Sequence, residues 1–376
     1  MVISILQEAK DVTTMAKPVR KRRRRRRNAL PLVLLLAAVL VLFIFLFYSL
    51  LTRDIPPDPA QTTAGTTIGT ADTTVIPDTT AVPDTTVPET TAPVTLPELT
   101  ASHAIVADVT SGIILGALGD IHERIYPASI TKLFTAWVAL QYLEPDHPCT
   151  AGDELELVAA DSSRAFIYYG QTVTAEMAVQ GLLMNSGNDA AYILAAEAGR
   201  TIAGDSGLYA HDAVEVFMDE VNRQLQSLGL TGTHFVNPDG YHDDNHYTTM
   251  ADLVVIAQLS MLDDTVRKYV AMDKADVVYY SGETNSWINT NLLLHKDSDY
   301  YLAEACGLKT GHTSGAGYCL LSAIRRDEGY TIIGVFGTPN YEDRFADTRV
   351  LAEEFLGLPW EPPMPEETEP DTTGAE

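Results

Sequence analysis

Cysteine is scarce, with 3 residues in 376, and so are lysine and arginine beyond the first 53 positions. Three cysteines build neither a disulfide scaffold nor a four-cysteine zinc site. Residues 1–53 hold 11 basic side chains against two acids, leaving 14 basic and 49 acidic residues for the rest of the chain. So acidic a body repels nucleic acid, and no nucleic-acid partner is expected. The formal net charge of −26 therefore sums over two unlike parts. What is plentiful is apolar. With 46% hydrophobic and 20% charged residues, the chain is neither wholly disordered nor collagen-like and has the material for a large core.

The basic excess adjoins an apolar run. Ala29 to Leu51 is 23 residues without a charge, and the six arginines Arg22 to Arg27 stand just before it. About 20 apolar residues cross a bilayer as a helix, whereas the apolar region of a cleavable signal is about 7–15 long. The pattern predicts one transmembrane helix over 29–51, an uncleaved signal anchor. Residues 1–28 are then a basic cytoplasmic segment, and the body lies outside the membrane. Anionic lipid headgroups suit the arginine run better than nucleic acid does.

Residues 52–100, with repeats such as PDTTAVPDTTVPETTAP, have no residue set able to bury a core and read as an extended, disordered Thr/Pro-rich linker. Residues 361–376, with six acids and four prolines, read as an acidic disordered tail.

Between them, residues 101–360 mix strand and helix signals. Two apolar stretches around Thr110-Ser111-Gly112 predict a hairpin, residues 127–143 and 174–199 predict helices, and Tyr318–Ile324 with Tyr330–Phe336 predict a second hairpin. Strands at both ends with helices between imply an α+β fold whose sheet joins the two ends of the domain.

Three short segments carry candidate chemistry. In Ser129-Ile130-Thr131-Lys132 the serine and lysine are one helical turn apart, after Pro127 at a predicted helix start. A serine in the first turn has the positive end of the helix dipole for a developing oxyanion, and an apolar setting lets the lysine accept the serine's proton. Ser186-Gly187-Asn188 interrupts two apolar helical stretches, where Ser186 is suited to relaying a proton and Asn188 to holding an amide. Lys309-Thr310-Gly311-His312 leads into the second hairpin and offers a carboxylate a cation and a hydroxyl beside a side-chain-free position. Taken singly, these segments are equally an ordinary helix start, a helix cap and a turn into an edge strand.

Taken together, at separations of 57 and 123 residues, they resemble the SxxK, SxN and KTG set of the serine penicillin-recognising enzymes. PASITKLFTA, SGNDAA, FVNPDGYHDDNHYTTMADL and GLKTGHTSGAGYCL are similar to the low-molecular-mass penicillin-binding proteins, the serine-type D-Ala-D-Ala carboxypeptidase family, over about residues 101–356.

That resemblance implies a β-lactamase/transpeptidase-like domain, an antiparallel sheet packed with helices plus a mainly helical subdomain. It implies Ser129 as nucleophile, Lys132 as general base, Ser186 as proton relay and Asn188 as the holder of the substrate amide. Lys309 and Thr310 would bind the substrate carboxylate beside Gly311 and His312, and the backbone N–H groups of Ser129 and His312 would hold the oxyanion. The implied substrates are peptidoglycan stem peptides ending in D-Ala-D-Ala, the implied inhibitors β-lactams, and no cofactor is implied. The implied setting is the bacterial cell membrane, with the N-terminus cytoplasmic and the catalytic domain outside.

Two departures widen the reading. Many family members carry a β-rich domain and a C-terminal amphipathic anchor, where an acidic tail is expected here and the N-terminal span would serve as anchor. Members without the extra domain include D,D-endopeptidases that cut cross-links. A serine β-lactamase shares the nucleophile and lysine, although no Glu-x-x-Leu-Asn segment lies between Ser186 and Lys309. A wall-binding or penicillin-sensing module would keep the fold without turnover.

The remaining features read plainly. His242, Asp243, Asp244 and His246 follow the turn Asn237-Pro238-Asp239-Gly240 and read as loop, without a metal-ligand motif. Cys306 and Cys319 are expected as free thiols, with Cys319 opposite about Thr310, and Cys149 has no evident partner. The domain's acids are expected on a solvated surface.

Overall fold

The predicted hairpins become adjoining parts of one sheet. In the computed structural model, β1 (His103–Asp108) runs antiparallel to β2 (Ile113–Leu118), while β7 (Ala305–Thr313), β8 (Gly317–Arg325) and β9 (Tyr330–Thr338) form a meander. Pairing of β1 with β9, from His103 opposite Phe336 to Asp108 opposite Thr331, closes the order β2-β1-β9-β8-β7 and joins the two ends of the domain.

The structure describes residues 96–362 apart from Thr110 and Glu328. The expected basic segment, the membrane span, the linker up to residue 95 and the tail from residue 363 lie outside them. Among the described residues no helix is long and apolar enough to cross a membrane.

Side chains alternate across the sheet, and both faces are covered. Ile105, Leu321, Ala323 and Ile332 face the larger helical layer, whereas Val106, Leu320, Ile324 and Ile333 face a smaller core. That smaller core holds Phe345, Leu351 and Ala352 of a C-terminal helix, Asp343–Leu356, with Leu96 and Leu99 packed against it. Burial on both sides explains why the central strands read as unbroken apolar runs.

The larger layer is built around α1 (Thr131–Ala139), whose Leu133, Phe134, Ala136 and Val138 are all buried. Around it lie α2 (Ala175–Met184), α3 (Asn188–Ala203), α4 (Ala210–Ser227), α5 (Met250–Leu262) and α6 (Asp264–Val270), and Asp343–Leu356 is α7. The pair β3 (Pro148–Thr150) and β4 (Thr172–Thr174) and the hairpin β5 (Lys274–Val278) and β6 (Thr284–Ile288) flank this layer. Close approach sets one contact by itself: a Cβ on Gly199 of α3 would lie 1.8 Å from the Ala213 carbonyl oxygen of α4.

Four expectations need correction. The helix over 127–143 is a 3-10 turn, Ala128–Ile130, followed by α1. It ends at Ala139 because the next turn tightens to Gln141 N to Val138 O and Tyr142 N to Ala139 O. The 174–199 segment is two helices, since Ser186 takes a left-handed φ of 55° that no α-helix accommodates. Cys319 pairs with Gly311 instead of Thr310, because the β7–β8 turn holds three residues, 314–316; the three cysteines are free and buried. The acids are not all solvated either: Glu154, Asp189, Asp239 and Asp347 are buried.

Candidate active site

The 3-10 turn delivers Ser129 to the floor of a cleft of about 700 Å³ and leaves Lys132 beneath it in the first turn of α1. The lysine Nζ lies 2.8 Å from Ser129 Oγ and donates to the Asp239 carbonyl oxygen at 2.6 Å. Complete burial lowers the lysine's pKa to about 8, although the carboxylates of Asp239 and Asp189 pull it back up. An amine of that proton affinity in contact with a serine hydroxyl has the chemistry to take its proton at neutral to mildly alkaline pH.

A single loop holds this pair in place. Thr135 Oγ1 donates to the Pro238 carbonyl oxygen at 2.7 Å, and a Cβ on Gly240 would sit 1.9 Å from the Ala128 carbonyl oxygen. His246 Nδ1 accepts from Val236 N at 3.1 Å, so its Nε2 carries the proton and donates to Thr131 Oγ1 at 2.8 Å. Thr131 Oγ1 in turn donates to Ala128 O. Burial depresses the His246 pKa to about 3, consistent with a neutral ring stacked on Phe235.

The second wall comes from the break between α2 and α3. Ser186 and Asn188 both line the cleft, and Asn188 opens α3. Asn188 Oδ1 is buried without a hydrogen-bond partner among the described residues, which leaves it for a ligand N–H. Asp189 Oδ1 accepts from Ala165 N and its Oδ2 from Ile167 N, tying the neighbouring 163–167 loop to the helix. The left-handed φ of Ser186 and of Ala128, at 55° and 48°, places backbone strain at one candidate serine and next to the other, Ser129.

The third wall is the outer strand β7, whose free edge faces the cleft through Thr310, Gly311 and His312. Gly311 permits the approach, because a Cβ there would stand 3.0 Å from both Ala128 Cβ and the Pro127 carbonyl oxygen. Thr310 Oγ1 hydrogen-bonds Thr290 Oγ1, and the His312 ring stacks on Tyr318 at 4.0 Å. Lys309 is buried behind this edge, its Nζ donating to Thr310 O at 3.0 Å. Burial lowers its proton affinity well below the usual amine range, and the cations Lys132 and Arg344 lower it further.

All eight expected site residues thus gather around one cleft, six lining it and the two lysines beneath its surface. Sequence reasoning missed three neighbours. Arg344 on α7 lines the cleft, donates from Nη1 to Gly311 O at 3.1 Å and packs over the Tyr341 ring at 4.4 Å. It stands far from any of the three segments in the chain, so no local spacing announces it. Asp239 and His246 lay in a segment read as turn and loop. The one hint was the Asn-Pro-Asp-Gly turn, whose Asn237 Oδ1 accepts from Gly240 N.

Comparison with known proteins agrees with this geometry. The model of the D-alanyl-D-alanine carboxypeptidase family matches residues 89–340. D-alanyl-D-alanine carboxypeptidase DacA of Haemophilus influenzae is 30% identical over 267 residues, 69% of this chain and 63% of the relative. The match to DacF of Bacillus subtilis, 26% identical, covers 61% of this chain and 56% of that relative, so the chain spans less than two thirds of both. The crystal structure of the Streptomyces K15 DD-transpeptidase superposes with a TM-score of 0.63 at 30% identity, covering 70% of this chain and 100% of that one. With its three walls meeting at Ser129 and a family model matched over residues 89–340, the chain belongs to the D-alanyl-D-alanine carboxypeptidase family.

Proposed function

We propose that the protein is a membrane-anchored, extracytoplasmic serine D,D-carboxypeptidase that removes the terminal D-Ala from peptidoglycan stem peptides. The single observation that carries this reading is the 2.8 Å contact between Ser129 Oγ and the Nζ of a wholly buried lysine at the floor of the cleft. Ser129 attacks the carbonyl between the two D-alanines while Lys132 takes its proton. The backbone N–H groups of Ser129 and His312 receive the oxyanion, and β7 passing at Gly311 supports that pairing.

Ser186 passes the proton to the departing D-alanine nitrogen, and water then hydrolyses the ester. Asn188 holds the peptide amide; Thr310, with the charge of Lys309 and Arg344 behind it, receives the terminal carboxylate. A stem peptide lies along the free edge of β7 as an added strand. β-Lactams acylate the same serine. Residues 29–51 anchor the chain, and the arginine run keeps its N-terminus cytoplasmic.

A second reading has its own support, since the superposed Streptomyces K15 structure, covered over its whole length, is of a DD-transpeptidase. In that reading a peptide amine replaces water at the ester. Mass spectrometry of products from defined tetra- and pentapeptide muropeptides separates the possibilities. The proposal predicts free D-alanine with wild type and none with Ser129→Ala. New cross-links would favour transpeptidation, cut cross-links an endopeptidase, and no product at all would overturn enzymatic turnover.

A further inference from the structure

Among the buried ionisable groups that line the cleft, Asp239 is left without a task by the steps above. It is 1% exposed and borders the cleft, and its Oδ1 accepts from Tyr241 N at 3.0 Å. Its Oδ2 is buried with no hydrogen-bond partner among the described residues. An unpartnered buried carboxylate oxygen is costly and is retained where it serves another group. The group at hand is Lys132, which already donates to the backbone carbonyl of the same residue at 2.6 Å. Hydrogen bonds from Thr135 to the Pro238 carbonyl and from His246 to Thr131 hold the loop beside the lysine, and Gly240 lets it pass close to Ala128.

We propose that Asp239 is a positioning residue for the Ser129–Lys132 pair, its carbonyl oxygen aiming the amine and its carboxylate serving as the buried counter-charge that sets how strongly the amine holds a proton. The inference rests on the reading of Ser129 and Lys132 given above. Without a counter-charge, burial alone would make the lysine a weak base that releases its proton early. With it, the lysine stays basic enough to take the serine's proton and keep it until the leaving group needs it.

The other titratable groups around the pair come from each packed element: Asp189 and Tyr192 on α3, Lys309 on β7, and Tyr241 and His246 on the loop. Burial and the Asp239 charge push Tyr192 upward, and burial holds His246 near about 3, so neither titrates in the neutral range. Lys132 and Asp239 perturb each other: burial raises the carboxyl's proton affinity, and the charge of the lysine draws it part of the way back.

The test is Asp239→Asn, which keeps an acceptor for Tyr241 N and removes the charge. Penicillin acylation of the full-length protein is followed across pH 6–10. The acid limb of the acylation rate should move down by about one pH unit, with an alkaline plateau less than about tenfold lower. An unmoved limb, or a uniform loss at every pH, would overturn the proposal.

A second readout does not depend on activity or on Asp239→Asn folding. In wild type carrying lysine labelled with carbon-13 at Cε, the Lys132 signal, assigned by its loss in Lys132→Met, should titrate in two steps. One is its own and the other is that of Asp239. A single step would sink the coupling whether or not the enzyme turns over, whereas an inactive wild type with a two-step signal would sink only the proposed function.

Discussion

Lys132 and Lys309 are both wholly buried, yet the helix wall and the strand wall of the cleft treat them differently. Lys132 meets carboxylates, Asp239 and Asp189, and its pKa settles at about 8. Lys309 donates to the Thr310 carbonyl oxygen, burial drives its proton affinity down, and the charges that act on it, Lys132 and Arg344, are cations that lower it further. Burial therefore does not by itself define what a lysine does; the sign of its neighbours does. One wall is equipped to shuttle a proton with nothing bound. The other is short of negative charge until a carboxylate arrives.

The comparison can be broken by removing each amine. Lys132→Met keeps the apolar bulk and removes the amine, and should lower Ser129 acylation by about 10³-fold on the alkaline plateau and by progressively less below about pH 8, where wild-type Lys132 is itself protonated, measured with a labelled penicillin. Lys309→Met should lower kcat/KM for a peptide with a free terminal carboxylate by about 100-fold, and much less for the C-terminally amidated peptide, because only the former needs the cation. Equal losses on both peptides would assign Lys309 a merely structural role.

The smallest effect is also the most specific. A carboxylate entering the cleft should raise the proton affinity of Lys309, so binding near pH 8 should take up a fraction of a proton. Calorimetry of peptide binding to Ser129→Ala in two buffers of different ionisation heat measures it. Identical heats would mean that Lys309 does not change its protonation when the peptide binds.

Much of this was legible in sequence, for physical reasons. Ser129 and Lys132 are one turn apart, so local helical geometry alone brings them together, and the strands around Arg326 and Gly329 pair because adjacent apolar runs fold back on a short turn. Lys309, Thr310 and Gly311 are consecutive in one strand, so their relation to each other was local as well. What sequence could not announce depends on distant packing. Asp239 comes to Lys132 across 107 residues and Arg344 comes to Gly311 across 33. The burial of Asp189 follows from backbone donors at Ala165 and Ile167, which no composition argument supplies. The register of β7 on β8 differed by one residue because the turn length, three instead of two, is set by the left-handed Gly317 after it.

The central claim is that Ser129 is activated by a buried amine poised near neutrality. The most direct measurement is the rate of penicillin acylation against pH, with the adduct mapped by mass spectrometry of peptides. The account predicts one adduct, on Ser129, forming at a rate that rises through a midpoint at about 8 as Lys132 loses its proton, and then levels. An adduct on any other residue, or a rate that is flat or falls across that range, would contradict it.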